Sequence, residues 1–403
     1  MRRIKVFASL LLVLALIVPV AVMAQDDVQM GFWEECPTPE NLSGDIKVGV
    51  IFGQSGSIAQ YGMPQTYGVE LALAKISESG YLGDANLVFV IEDGFDTDSA
   101  VAAMTKLVEQ DNVVAVIGPT LSTQAFAADP IAAAVGVPVM GVSNTASGIT
   151  TMTEEDALNQ FIFRDSLPES SVIPGTIASA IETLGIEKAA ILYGDDDDFT
   201  FSGYEVFLES LLEQGIEVLS EETFSRGDVD FLPQLTNIVS QEPDALVVSS
   251  LLAEAVQIVA QARQLGYEGP IIGGNGFNSP ALIADAGEAS NGVMVGAAWN
   301  IINDTPLNVA FTEMYTEAYE GAPGQFAAQS YTGAWLMATA IRCADSADSA
   351  AVRDALAGIE DFDSPLGSFS FDEERNPVHP PIVQIVDDGA FAVFGEDYTD
   401  YYE

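Results

Sequence analysis

Three hydroxyl-rich segments offer the most legible chemistry in this chain. Gly53-Gln54-Ser55-Gly56-Ser57-Ile58-Ala59-Gln60-Tyr61-Gly62 follows the apolar run Ile46–Phe52. Gly118-Pro119-Thr120-Leu121-Ser122-Thr123 follows Val113–Ile117, and Ser143-Asn144-Thr145-Ala146-Ser147 follows Pro138–Val142. Ser and Thr commonly do no more than cap helices. Three such segments in succession, each beyond an apolar run, point to a binding site. The latter two can lead into helix N-termini, where hydroxyls and free N–H groups together favour a carboxylate or similar anion. An acidic run, Asp195-Asp196-Asp197-Asp198, stands at another run's end. It could add an acid to a cleft, although an exposed charge run is usually a solvated loop. It lacks the spacing and terminal Glu of a calcium loop.

The parts of common catalytic sites are missing. The chain has one His, His379, and two cysteines, Cys36 and Cys343. One His must serve any Ser-His-Asp arrangement, and no Gly-x-Ser-x-Gly elbow is present. One His and two distant cysteines make no usual zinc site, and there is no Gly-x-x-x-x-Gly-Lys phosphate loop. A binder is therefore expected rather than an enzyme, with no metal and no cofactor.

Charge narrows the partners. There are 60 acidic and 13 basic residues, a net charge of −47. Such a surface repels phosphate backbones and anionic lipid, so no nucleic-acid partner is expected. The acidic excess reads as a solvated shell that keeps an exported protein soluble. Arg2, Arg3 and Lys5 precede an apolar run from Val6 to Val22, and Val22-Met23-Ala24 supplies small residues for cleavage. Residues 1–24 thus read as a signal peptide and 25–44 as a leader, which predicts a periplasmic or extracellular location. Cleavage would remove three basic residues and leave 10 against 60 acids, a net charge of −50. No Cys follows the apolar run to carry a lipid. Export makes a Cys36–Cys343 disulfide possible, but spacing alone leaves the pairing open.

The elements that must position these segments form two ladders. Strands are predicted at Ile46–Phe52, Leu87–Ile91, Val113–Ile117 and Pro138–Val142, with helices at Pro64–Glu78, from Asp98 or Ser99 to Glu109, and at Thr123–Val135. The pattern repeats with strands at Lys188–Tyr193, Ile216–Thr223, Ala245–Ser249 and Pro270–Gly273, and helices at Gly203–Gln214, Phe231–Ser240 and Ala253–Leu265. Continuous Val, Ile and Leu runs mean strands buried on both faces, and intervening helices mean parallel sheets. A third block holds helices at Leu307–Tyr319, Phe326–Cys343 and Ala350–Leu356, then short strands at Ser368–Phe371, Ile382–Val386 and Phe391–Phe394. It must complete the ladders. The fold class is therefore α/β, with two Rossmann-like lobes, each built on a parallel sheet, and several chain crossings forming a hinge. Lobe 1 is assigned to 45–163 and 299–366, and lobe 2 to 164–298 and 367–403.

The ordered set resembles the type I periplasmic binding proteins of ABC transporters, in their branched-chain amino-acid branch. The resemblance is carried by Ile46-Lys47-Val48-Gly49-Val50, Ser55-Gly56, Tyr61-Gly62, Val116-Ile117-Gly118-Pro119 with Ser122, and Ser143-Asn144-Thr145-Ala146. Gly273-Gly274-Asn275-Gly276-Phe277, Ala328-Gln329-Ser330-Tyr331 and Phe371-Asp372 extend it over nearly all of the chain from Asp45. It implies a bilobed clamp that delivers a branched-chain or other small amino acid, or a related polar ligand, to permease subunits, working as a monomer. It also implies that Ser122 and Thr145 hold a ligand carboxylate, that the Ser143 carbonyl takes an ammonium, and that Tyr61 in the first loop packs on the ligand. Phe199 is the matching aromatic of the second lobe. Two positions depart from the pattern. Asn275 stands where leucine binders carry a Glu for the ammonium, and Leu251 stands where they carry a Tyr. A neutral Asn can accept a hydrogen bond but brings no charge. Another acid must replace that Glu, or the ligand is not a simple α-amino acid. A sensor of the same fold for an amide, urea or small carboxylate is the alternative. Trp299, near the last crossing, lines the cleft or packs at the hinge.

Overall fold

The computed structural model describes residues 29–399 and 401–402. The predicted signal peptide, residues 1–24, lies outside the described residues. Most apolar runs become strands buried on both faces, while those at Ala85–Asp93 and Glu217–Phe224 are only half-buried. The first lobe contains β1 (Gly44–Phe52), α1 (Ala59–Ser79), β2 (Ala85–Asp93), α2 (Thr97–Lys106), β3 (Ala115–Ile117), α3 (Ser122–Ala134), β4 (Val139–Gly141), α4 (Asp156–Asn159) and β5 (Ile162–Arg164). Its five strands pair in the order β2-β1-β3-β4-β5, all parallel.

The chain then enters the second lobe through α5 (Glu169–Leu184), β6 (Lys188–Gly194), α6 (Asp198–Glu213), β7 (Glu217–Phe224), α7 (Leu232–Val239), β8 (Ala245–Ser249), α8 (Leu252–Gln264), β9 (Ile271–Gly273), α9 (Pro280–Ala286) and β10 (Val293–Ala297). It returns through α10 (Pro306–Tyr319), α11 (Gln325–Ala344) and α12 (Ser349–Ala357), then β11 (Phe362–Ser364), β12 (Gly367–Phe371) and β13 (Pro377–Val378). Finally β14 (Ile382–Asp387) and β15 (Ala390–Val393) complete a seven-stranded sheet in the order β15-β14-β10-β9-β8-β6-β7. In that sheet only β14 runs against the other strands, pairing antiparallel with β10 and with β15.

Several predicted elements shift. Helix α1 begins at Ala59 rather than Pro64, with Pro64 inside it, so Tyr61 belongs to a helical turn and not to a loop. Asp96, not Asp98 or Ser99, caps α2, accepting from Ser99 N–H at 2.8 Å. In return the Ser99 hydroxyl oxygen accepts from Asp96 N–H, a reciprocal cap. Helix α5 and strand β10 fall in segments with no predicted element. Pro174 interrupts the helical pattern of α5, and glycines Gly292 and Gly296 break up the apolar run of β10.

The segment 367–378, assigned by sequence to the second lobe, packs elsewhere. Phe369 is buried in the same core as Phe52, Phe163 and Trp335 of the first lobe. Phe371 meets Phe163 edge-on at 5.3 Å between ring centres. The lobes are thus linked by passages after β5, after β10 and after β13. Trp299, on the middle passage, takes the packing role: it is 5% exposed and its ring meets Phe311 edge-on.

Cys36 and Cys343 form a disulfide, with Cα atoms 5.1 Å apart. Next to it, the Arg342 guanidinium lies 5.1 Å from the Trp33 ring centre and 4.6 Å from that of Tyr81. It also donates to the carbonyls of Cys36 and Tyr81. The leader is therefore bound to the end of α11 by a covalent link, two cation–π contacts and charge-assisted hydrogen bonds. Among the described residues, no helix is long and apolar enough to cross a membrane. Replacing both Cys36 and Cys343 by Ser should lower stability by roughly 2–4 kcal/mol, read as a lower thermal midpoint by calorimetry.

Candidate functional site

The cleft is formed where strand ends of the two sheets face each other. The first turn of α1 sets Tyr61, which is buried and crosses to the second lobe. Its Oη donates to Gly276 O at 2.9 Å and accepts from Leu252 N–H at 2.6 Å. Burial raises its pKa, so it stays a neutral hydroxyl able to do both. Further cross-lobe bonds join Gln60 to Asp285 at 2.8 Å, Thr123 to Asp197 at 3.0 Å and Ser147 N–H to Ser202 at 2.9 Å. The lobes are in contact, the closed arrangement of a clamp.

Two adjoining chambers lie in this cleft, with Asn275 in the wall of both. One, a narrow space of about 20 Å³ partly open to solvent, is lined by Tyr61, Ser122, Ser143, Phe199 and Asn275, together with Leu251. The fold thus brings five of the six sequence-predicted site residues together, with Leu251, the other departure, beside them. Thr145 does not line that chamber. It lies behind it, next to Glu169, which lines the second chamber, of about 10 Å³.

Each hydroxyl has a distinct state. Ser122 is the first residue of α3, where backbone N–H groups are free. Its Oγ accepts from Ala146 N–H at 3.3 Å, leaving its proton to donate. Ser143 Oγ is spent: it donates to Thr120 O at 2.6 Å and accepts from Gln65 Nε2 at 2.7 Å. Thr145 is 1% exposed and its Oγ1 has no partner. Contrary to the expectation from sequence, the Ser143–Ser147 loop does not open an α-helix; a single 3₁₀ turn at Ile149–Thr151 follows it.

Sequence reading missed Glu169. It begins α5, in the first turn after the β5 passage, and is 2% exposed. Oε1 accepts from Asn275 N–H at 2.8 Å, while Oε2 has no partner. Burial pushes its carboxyl up to about 7, against the pull of the Asn275 N–H and the nearby Thr145 hydroxyl. That hydroxyl is close enough to act on the charge but short of good hydrogen-bond geometry. Small residues make room for this carboxylate. A Cβ on Gly203 would lie 2.4 Å from Ser249 Oγ and 3.3 Å from Glu169 Oε2, and one on Gly274 would lie 3.1 Å from both carboxylate oxygens. Ser249 Oγ and both ends of the Gln329 amide are also buried without partners. Unpaired buried polar groups are costly, so their gathering at one cleft marks a place built to receive polar atoms. The signal available in sequence was Pro168-Glu169, a helix start; without α5 it could not be read as one.

The acidic run does not supply the cleft acid. Asp195, Asp196 and Asp198 are exposed. Asp197 is buried, but it caps α6, accepts from Thr123 and pairs with Arg226 at 3.6 Å. His379 lies beyond β13, 9% exposed, and burial lowers its pKa to about 4.

The profile of the periplasmic binding proteins matches residues 45–390. The chain belongs to this family, in its branched-chain amino-acid branch. The leucine-, isoleucine-, valine-, threonine- and alanine-binding protein of Pseudomonas aeruginosa is 27% identical over 331 residues, 82% of this chain and 86% of that protein. The structure of the branched-chain amino-acid substrate-binding protein LivJ from Streptococcus pneumoniae, with isoleucine, superposes with a TM-score of 0.80 at 30% identity. It covers 87% of this chain and 98% of the other. A solute-binding protein from R. palustris, with benzoate, gives 0.79 at 25% identity, covering 87% and 96%. The family is one of solute binders, and its clamp accounts for the cross-lobe bonds of Tyr61. Tyr61→Phe should strand Leu252 N–H and Gly276 O, at a cost of about 1–3 kcal/mol. The expected readout is a larger radius of gyration for the ligand-free protein in small-angle scattering.

Proposed function

We propose that this chain is the extracytoplasmic solute-binding component of an ABC transporter, which closes on a branched-chain or other small amino acid, or a related polar ligand, and delivers it to the membrane permease. The observation that carries this reading is Glu169, a buried carboxylate with one oxygen unspent between the lobes. An ammonium is the ligand group that would pair with it; a benzoate-like acid would leave it unpaired and costly. Glu169 thereby takes over the charge that Asn275 lacks. Ser122 and the free N–H groups at the start of α3 form the carboxylate end, with Thr145 behind them beside Glu169. Tyr61 and Phe199 pack on the ligand's remaining carbons. Export through residues 1–24, action as a monomer, and binding without catalysis, metal or cofactor complete the proposal.

Closure follows from added contacts: a ligand seated on the first lobe gives the second lobe more to bind, so the closed state is favoured. Calorimetric titration with leucine, valine, polar amino acids, amides, urea and small carboxylates tests the ligand class. Failure of every amino acid would sink it. Ser122→Ala with Thr145→Ala should abolish binding while leaving the thermal transition in place.

The pH dependence has a definite sign. The free carboxyl titrates at about 7, and only its anion pairs with an ammonium. Affinity should be full above pH 7 and fall by about tenfold per unit below it, until the lower pKa of the bound state is reached. Glu169→Gln should weaken binding and flatten this profile.

A further inference from the structure

We infer that Asn275 is held as a hydrogen-bond donor by two amide relays from the hinge, so that the ligand must bring an acceptor to the second lobe. This rests on the cleft being the ligand site. It reverses the expectation that Asn275 would accept.

The direction of each amide is set by a backbone N–H, which can only donate. In the first relay Ala298 N–H donates to Gln325 Oε1 at 2.7 Å. Gln325 must then present its Nε2, which donates to Asn275 Oδ1 at 2.8 Å. The second relay starts at Ile302 N–H, which donates to Asn300 Oδ1 at 2.9 Å. Asn300 Nδ2 donates to Gln384 Oε1 at 2.7 Å, and Gln384 Nε2 donates to Asn278 Oδ1 at 2.7 Å. Asn278 Nδ2 then donates to Gly296 O at 2.8 Å and to Asn275 Oδ1 at 3.3 Å.

Both relays end on one oxygen. Reversing the Asn275 amide would set its NH2 against two other NH2 groups. The relay side chains Gln325, Asn278, Asn300 and Gln384 are all at most 3% exposed, so a donor facing a donor inside the relays is costly. The Asn275 NH2 has no protein partner and belongs to a residue that lines both chambers. It is the group left to read the ligand. A carboxamide oxygen, a carbonyl or a hydroxyl satisfies it; a hydrocarbon side chain leaves it dry and unpaired. Polar amino acids such as asparagine and threonine are favoured over their apolar isosteres leucine and valine. The relays also begin on the passage after β10, so the reading group is braced by the hinge itself.

The test is a two-by-two titration of the intact exported chain at pH 8. Leucine and asparagine are near-isosteres that differ in the acceptor; 4-methylpentanoate and succinamate are the same pair without the ammonium. Asparagine should bind about tenfold tighter than leucine, and succinamate about tenfold tighter than 4-methylpentanoate. Asn275→Asp keeps the oxygen that receives the relays and replaces the NH2 by a second acceptor, while Asn275→Ala removes the group. Either should erase the preference while the thermal transition is retained. Equal or tighter binding of the apolar members, or a preference that survives both variants, overturns the inference. An acceptor preference without any gain from the ammonium overturns the pairing with Glu169 instead. No binding by any of the four overturns both.

Discussion

A carboxylate buried between two sheets is the constraint around which the cleft is arranged. Glu169 has been taken out of water at a cost that its surroundings offset only in part. One oxygen accepts from Asn275 N–H, and its place in the first turn of α5 puts it near the positive end of that helix. The other oxygen has no partner. Its pKa of about 7 expresses the remaining cost. The neighbours conform to it: Gly203 and Gly274 clear the space, and Ser249 and Thr145 bring hydroxyls. A ligand cation would relieve the cost, which is how an unfavourable burial becomes specificity.

Closure and recognition share parts. Tyr61 ties α1 to the backbone at Leu252 and Gly276, so a first-lobe residue reports directly on the second-lobe wall that carries Asn275. Asn275 is in turn braced by amides rooted on the passage between lobes. Rigid amide networks suit this task because each member is satisfied at both ends, and a half-satisfied network would be worse than none. Away from the cleft, the covalent link at Cys36 and the Arg342 stack bind the leader to α11. They fix the leader on the body of a strongly acidic chain.

Much of this architecture is local information. The strand Ala245–Ser249 was read with the bounds it has, and α8, α10 and α12 lie within a residue or so of their expected limits. Unbroken Val and Ile runs and 3.6-residue periodicity require only neighbours in sequence. The same is true of the hydroxyl loops beyond strands, which placed Ser122 and Ser143 on one wall with Tyr61; Phe199 and Asn275 were legible only through the family resemblance. Elements with mixed signals were lost: Pro174 obscured α5, and with it went Glu169.

What sequence by itself determined is the α/β order, the buried strands and the polar strand ends, because each depends on the period and chemistry of adjacent residues. Tertiary structure decided the rest. The pairing of Cys36 with Cys343 needed Cα atoms brought to 5.1 Å across 307 residues. The shifted pKa of Glu169 needed burial by segments from both ladders. Asn275 became a donor because Ala298 and Ile302, both remote in sequence, aim their N–H groups down two relays. An amide has no direction of its own; only its partners in space give it one.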